Sequence, residues 1–104
     1  MTPAKVIEVF TRYRADLDRN WPTIEPQRFS EEQARAPRWF LAQSARVAHF
    51  KFMCEEGCRF VEAGRIEKAM RWLGFLQGMF WATDIYTLED LKNHSRPTEE
   101  SREA

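Results

Sequence analysis

The chain has little with which to do chemistry. Among 104 residues there are two cysteines, two histidines and four glycines, and sixteen basic residues cancel sixteen acidic ones. Each shortage excludes something. The cancelled charge removes the broad positive field that non-specific binding to nucleic acid or an anionic membrane requires. Four glycines, at 57, 64, 74 and 78, build no phosphate-cradling loop or dinucleotide fingerprint, and no nucleophile elbow or helical HExxH motif occurs. Cys54 and Cys58 stand four apart on an expected helix with their Cβ vectors side by side, which disfavours a bridge, and they match no zinc-finger spacing. On that helix His49 lies about 140° from Cys54 and about 180° from Cys58, so the three cannot bind one metal ion. The longest apolar run, Trp72–Ala82, contains Gln77 and falls short of the roughly 20 residues that cross a bilayer. The first ten residues lack a signal-peptide core, and with so few cysteines a cytoplasmic location is the expectation. No catalytic residue, metal site or cofactor is expected.

What the chain does have is aromatic surface: eight phenylalanines, four tryptophans and two tyrosines. At this length one domain is expected, burying roughly two thirds of its unfolded surface. Twelve of the sixteen basic residues are arginine, the type favoured at protein interfaces and at sites for carboxylate or phosphate. A GC-rich genome produces the same bias.

The local signals are helical. Thr2 and Pro3 open a first helix that carries Val6, Phe10, Tyr13 and Leu17 on one face and ends near Asn20. Its other face bears Lys5, Glu8, Arg12 and Asp16, with Arg14 and Asp18 four apart, and reads as a self-neutralised solvent face. Pro22 and Pro26 forbid regular helix over 20–29, a stretch that Trp21, Ile24 and Phe29 anchor. Ser30 and Gln33 form a capping-box pattern, but Pro37 would fall inside the helix it opens. The expectation is therefore a short turn, then a helix from near Pro37 to about Ala63, stopped by Gly64, of about 27 residues and about 40 Å. A third helix starts directly after Gly64, and so short a connection packs it antiparallel on the second. Thr87 and Asp90 cap a short helix from Leu88 to about Asn93, with Ile85, Leu88 and Leu91 facing inward. The expected fold is all-α: three main helices with a central antiparallel hairpin, a short C-terminal helix in a single domain over 1–94, and a disordered polar tail over 95–104.

The third helix is apolar around nearly its whole circumference from Trp72 onward. Gly74, Gly78 and Ala82 stand four apart between Trp72, Phe75, Met79, Phe80 and Trp81, a ridge that lets another backbone come close. Three antiparallel helices bury roughly half of each, whereas the second and third are apolar over more than half. The surplus predicts a homo-oligomer, through Trp72, Gly74, Phe75, Gly78, Trp81 and Ala82 or through the Trp39, Phe50 and Phe60 side of the second helix. A groove on a host protein is the other outlet. Along the helices Glu55 is placed to pair with Lys51 and Arg59, and Glu67 with Arg71, so the arginines near Trp39 read first as a solvated face. Nucleic acid is not an expected partner. Arg35, Arg38 and Arg71 are the candidates for holding a phosphate.

The segment AGRIEKAMRWLGF resembles the turn and second helix of a tetratricopeptide unit, without the repeat that a solenoid needs. The longer GRIEKAMRWLGFLQG, with TLEDLK downstream, resembles a segment of small uncharacterised proteins of tailed bacteriophages and prophages. The likeness spans roughly residues 50–97 and implies a viral origin, hence the host cytoplasm. By analogy it implies a non-enzymatic protein that works through protein contacts, for instance by blocking a host or anti-phage defence factor. Two alternatives stand beside it: a nucleotide-sequestering oligomer with arginines at a subunit seam, and an accessory protein of virion structure or assembly.

Overall fold

The structure is a computed structural model and describes residues 1–96. All regular structure in these residues is helical: α1 (Pro3–Asn20), α2 (Glu31–Arg35), a 3-10 turn (Arg38–Phe40), α3 (Gln43–Glu62), α4 (Ile66–Ala82) and α5 (Leu88–Ser95). The local signals act where they were read. The Thr2 side chain accepts from the Lys5 backbone N–H, and both Ser30 with Gln33 and Thr87 with Asp90 close full capping boxes. Gly64 has φ +78° directly after the last turn of α3, where only a residue without a Cβ is unstrained.

The long second helix is shorter than expected. It begins at Gln43, not near Pro37, and runs 20 residues. The Ser30 capping box does nucleate a helix, α2, which lasts five residues and stops at Ala36, because the residue before a proline is driven out of helical geometry. Pro37 then heads a 3-10 turn, and Leu41 and Ala42 are extended. Helix resumes only where tertiary burial supports it, and the first buried residue of α3 is Val47. At the other end α5 continues through Ser95, so the expected polar tail begins too early; the rest of it, 97–104, lies outside the described residues.

Helix α1 packs on both members of the α3–α4 hairpin, and α5 closes back on α1. At Gly57 a Cβ would lie 2.3–2.6 Å from the far end of the Phe10 ring, so there α1 and α3 meet with the tip of an aromatic ring against bare backbone. The core holds Val6, Val9, Phe10, Tyr13 and Leu17 of α1 with Phe50, Met53 and Cys54 of α3 and Leu73, Leu76 and Phe80 of α4. Tyr13 is its polar centre. Fully buried, it meets Phe80 edge-on at 5.0 Å, its hydroxyl accepts from Gln77 Nε2 at 3.1 Å, and His94 Nδ1 lies 3.1 Å away. Gln77 also donates to Ser95 Oγ, so the one amide inside the apolar run of α4 ties α1, α4 and α5 together.

The charged face of α1 differs from expectation. Arg14 and Asp18 do pair, but at the seam with α3 rather than in open solvent, because Arg14 also reaches Glu55 and Asp18 also reaches Lys51. Glu55 is thus engaged across helices instead of with Lys51 and Arg59 of its own, and Arg59 pairs with Glu56. Lys51 is 1% exposed, and its ammonium donates to the Trp21 carbonyl at 2.7 Å, the Ile24 carbonyl at 2.7 Å and Asp18 Oδ1 at 2.9 Å. Three donors meet three acceptors, the condition under which a buried ammonium is tolerated. Burial alone would raise the Asp18 carboxyl, yet the hydrogen bonds from Lys51 and Arg14 hold it below its ordinary range.

Two variants test these contacts by urea denaturation at neutral pH. Gly57→Ala should destabilise by about 1–3 kcal/mol although alanine is the better helix former, because the methyl overpacks against Phe10; a neutral or stabilising result would mean that Phe10 moves aside freely. Lys51→Met, similar in volume, should cost about 3 kcal/mol by stripping two carbonyls and Asp18 of their donor. Unchanged stability would make the linker contacts dispensable.

Candidate functional site

Helix α4 has two unlike faces. Ala69, Leu73, Leu76 and Phe80 are buried, whereas Gly74, Gly78 and Ala82 lie exposed, flanked by Met70, Phe75 and Trp81 at 43%, 51% and 56% exposure. Among the described residues, nothing beyond the helix's own backbone lies within 4 Å of where a Cβ at Gly74 or Gly78 would stand. Trp72 is half-buried, its ring edge-on to Phe60 at 4.8 Å, with Lys68 over the Phe60 ring at 4.7 Å. Beside Gly78 and Trp81 the surface continues onto α5 in an open depression of about 440 Å³ bordered by Leu88 and Leu91. Leu88 was expected to face inward; at the first turn of α5 it overhangs α4 and is 57% exposed, and Leu91 and His94 supply the buried contacts instead.

The second expected interface does not form one surface. Phe50 is 4% exposed and edge-on to Phe80 in the core, which corrects its assignment to an interface. Phe60 is covered in part by Trp72, and Trp39 is not on α3 at all but on the 3-10 turn, where it and Phe40 are 83% and 71% exposed. Nor do the three arginines converge. Arg35 pairs with Glu31 at 2.6 Å on α2, Arg38 is exposed on the 3-10 turn, and Arg71 borders a shallow depression at the start of α4 with Arg65 and Lys68.

The two histidines and the two cysteines are biased toward their uncharged forms. Burial, with Arg28 nearby, pulls His49 down to about 4; it stacks on Phe29 at 3.9 Å, and its Nδ1 accepts the Phe29 N–H at 3.0 Å. Burial, reinforced by Arg12, also lowers His94. Burial pushes the Cys54 thiol up to about 12 and raises Cys58 as well, so neither is a ready thiolate at neutral pH. Both cysteines are free, and among the described residues no three His, Cys, Asp or Glu side chains gather as metal ligands. No helix of the described residues is long and apolar enough to cross a membrane.

Sequence reasoning missed the partners of Lys51 and the placement of Arg46, whose Nε is buried without a hydrogen-bond partner among the described residues. For Lys51 a signal existed: a lone charge between Phe50 and Phe52, in a run where its neighbours need burial. For Arg46 there was none. Comparison with protein-family models, with curated proteins and with solved structures gives no match.

The histidine geometry sets a pH dependence. Between about 4 and the ordinary 6.5 the unfolded chain takes up the His49 proton and the folded chain does not, so stability falls as pH drops through that window. Replacing His49 with Gln, which keeps an acceptor for Phe29, should shrink the loss between pH 7 and pH 4.5 by about 2 kcal/mol in urea titrations. An unchanged loss would place the sensitivity in His94 and the carboxylates.

Proposed function

We propose that this chain is a non-enzymatic module that acts through protein contacts as a homo-oligomer, with the outer face of α4 as its assembly surface. One observation carries the reading. Gly74 and Gly78 sit mid-helix, where each costs about 1 kcal/mol relative to alanine, and no neighbour among the described residues needs the space they leave. A second helix backbone does need it. Gly74, Gly78 and Ala82 follow Met70 in one four-spaced row, with Phe75 and Met79 in the next row on one side and Gln77 and Trp81 on the other, so small residues sit low between larger ones, the geometry in which helices interlock. Leu88 extends the apolar border beyond the end of α4. In a phage or prophage such a module fits the blocking of a host or defence factor. A nucleotide-holding oligomer has less support, because Arg35 is already paired and Arg38 and Arg71 stand on separate elements.

Light scattering over a wide concentration range tests the reading. The parent chain should associate, and Gly74→Leu with Gly78→Leu should abolish association while helical circular dichroism survives and the dilute protein melts higher, leucine being the better helix former. A parent chain that stays monomeric at every concentration, or a double variant that still associates, overturns it.

A further inference from the structure

At the C-terminal end of α4, the end of α1, the first turns of α3 and the turn from α4 to α5 enclose a half-open cavity of about 350 Å³. That is the small end of the range for ligand sites. Trp21, Val47, Phe50 and Ile85 supply its apolar wall, and Arg46 and Asp84 its charges. Neither charge forms an ion pair among the described residues. Arg46 belongs to none of the ion pairs among the described residues, and its buried Nε points at no acceptor, an expense a stable core normally avoids. Asp84 is likewise in no ion pair, and it occupies a position that favours glycine.

The comparison with Gly64 makes that plain. Both long helices of the hairpin end in the same turn: Arg65 N–H bonds the Phe60 carbonyl at 2.7 Å after α3, and Ile85 N–H bonds the Phe80 carbonyl at 2.8 Å after α4. The left-handed residue is Gly64 in the first and Asp84, at φ +62°, in the second. Aspartate tolerates this conformation better than most residues but gains nothing from it over glycine. Its carboxylate is therefore the reason to examine, and it stands at the cavity rim, on the border with a second depression over Tyr86 and Leu88.

We propose that the cavity binds a small zwitterion, an α-amino acid with an aromatic or large aliphatic side chain. Its carboxylate completes Arg46, its ammonium meets Asp84, and its side chain lies against Trp21 and Phe50. A cation and an anion at one small apolar cavity select a ligand carrying both charges; Asp84 repels a phosphate or a dicarboxylate, and the wall offers a plain ammonium no compensation for stranding Arg46. The site is formed within a single chain, and its rim residue Asp84 also borders the depression lined by Trp81, Ala82 and Leu88 of the assembly surface.

Calorimetric titration of the wild-type chain with L-phenylalanine, 3-phenylpropionate and phenethylamine tests the proposal without any variant. L-phenylalanine should bind, and each analogue lacking one charge should bind at least about tenfold more weakly, the effect of losing one charge-assisted hydrogen bond. Arg46→Gln should weaken L-phenylalanine by a similar factor. Asp84→Asn, which keeps a residue tolerant of left-handed backbone, should erase the preference over 3-phenylpropionate. If the wild type binds none of L-phenylalanine, L-leucine and L-tryptophan at millimolar concentration, or binds the charge-deleted analogues as well as the amino acid, the proposal fails.

Discussion

The Lys51 ammonium is the contact on which the arrangement of this molecule depends. It stands at the middle of α3 with no exposure to speak of, and its three acceptors come from the end of α1 and from the proline-bearing linker behind it. A buried charge removed from water is tolerable only if every donor is matched, so the position of Lys51 dictates where Asp18, Trp21 and Ile24 must be. That single requirement fixes the exit of the chain from α1. The linker then follows α3, with Gln27 N–H on the Ala48 carbonyl and Phe29 N–H on His49. This irregular segment makes a turn bond of its own, Ile24 N–H to the Trp21 carbonyl at 3.3 Å, and α3 supplies the others named. Trp21, placed by the same contact, becomes a wall of the cavity that Arg46 lines.

The four glycines divide by what surrounds them. Gly57 is bare so that Phe10 can lie on the backbone, and Gly64 is bare because the turn into α4 needs a left-handed residue. Gly74 and Gly78 have neither reason among the described residues. The same subtraction applied to polar groups isolates Arg46 and Asp84, since the other charges at helix seams are matched: Arg14 with Asp18 and Glu55, Lys51 with Asp18, and Asp16 with Arg19 and the Tyr86 hydroxyl. Beside the exposed Trp39 and Phe40 of the 3-10 turn, the outer face of α4 and one cavity are what the fold leaves unexplained among the described residues.

The buried polar groups also explain why an aromatic-rich core settles on one packing. Tyr13, Tyr86, His94 and Phe80 pack ring against ring, and shape alone admits many such clusters. The hydroxyl of Tyr13, the amide of Gln77 and the ring of His94 each need a partner, and they find partners in one register of α1, α4 and α5. Burial raises the Tyr13 hydroxyl to about 12 and the Tyr86 hydroxyl further still, so both remain protonated donors.

Local chemistry made much of this legible in the sequence. Capping at Thr2, Ser30 and Thr87, the stop at Gly64, the inward stripe of α1 and the hairpin of α3 and α4 all follow from interactions within a few residues, which a sequence displays directly. The start of α3 was not legible, because whether Arg38–Ala42 is helical depends on burial that those residues do not receive. Nor was the fate of Phe50, since a helix apolar on two sides does not say which side meets its neighbours. Charges were the least legible of all: spacing offers Glu55 two partners on its own helix, and the fold gives it Arg14, forty-one residues away in sequence. Caps, stops and the inward stripe of α1 are short-range properties of the backbone, so the sequence alone determined them. Which helical face is covered, which charge is matched and which arginine is left waiting are decided by elements meeting across space, and only the tertiary structure contains that meeting.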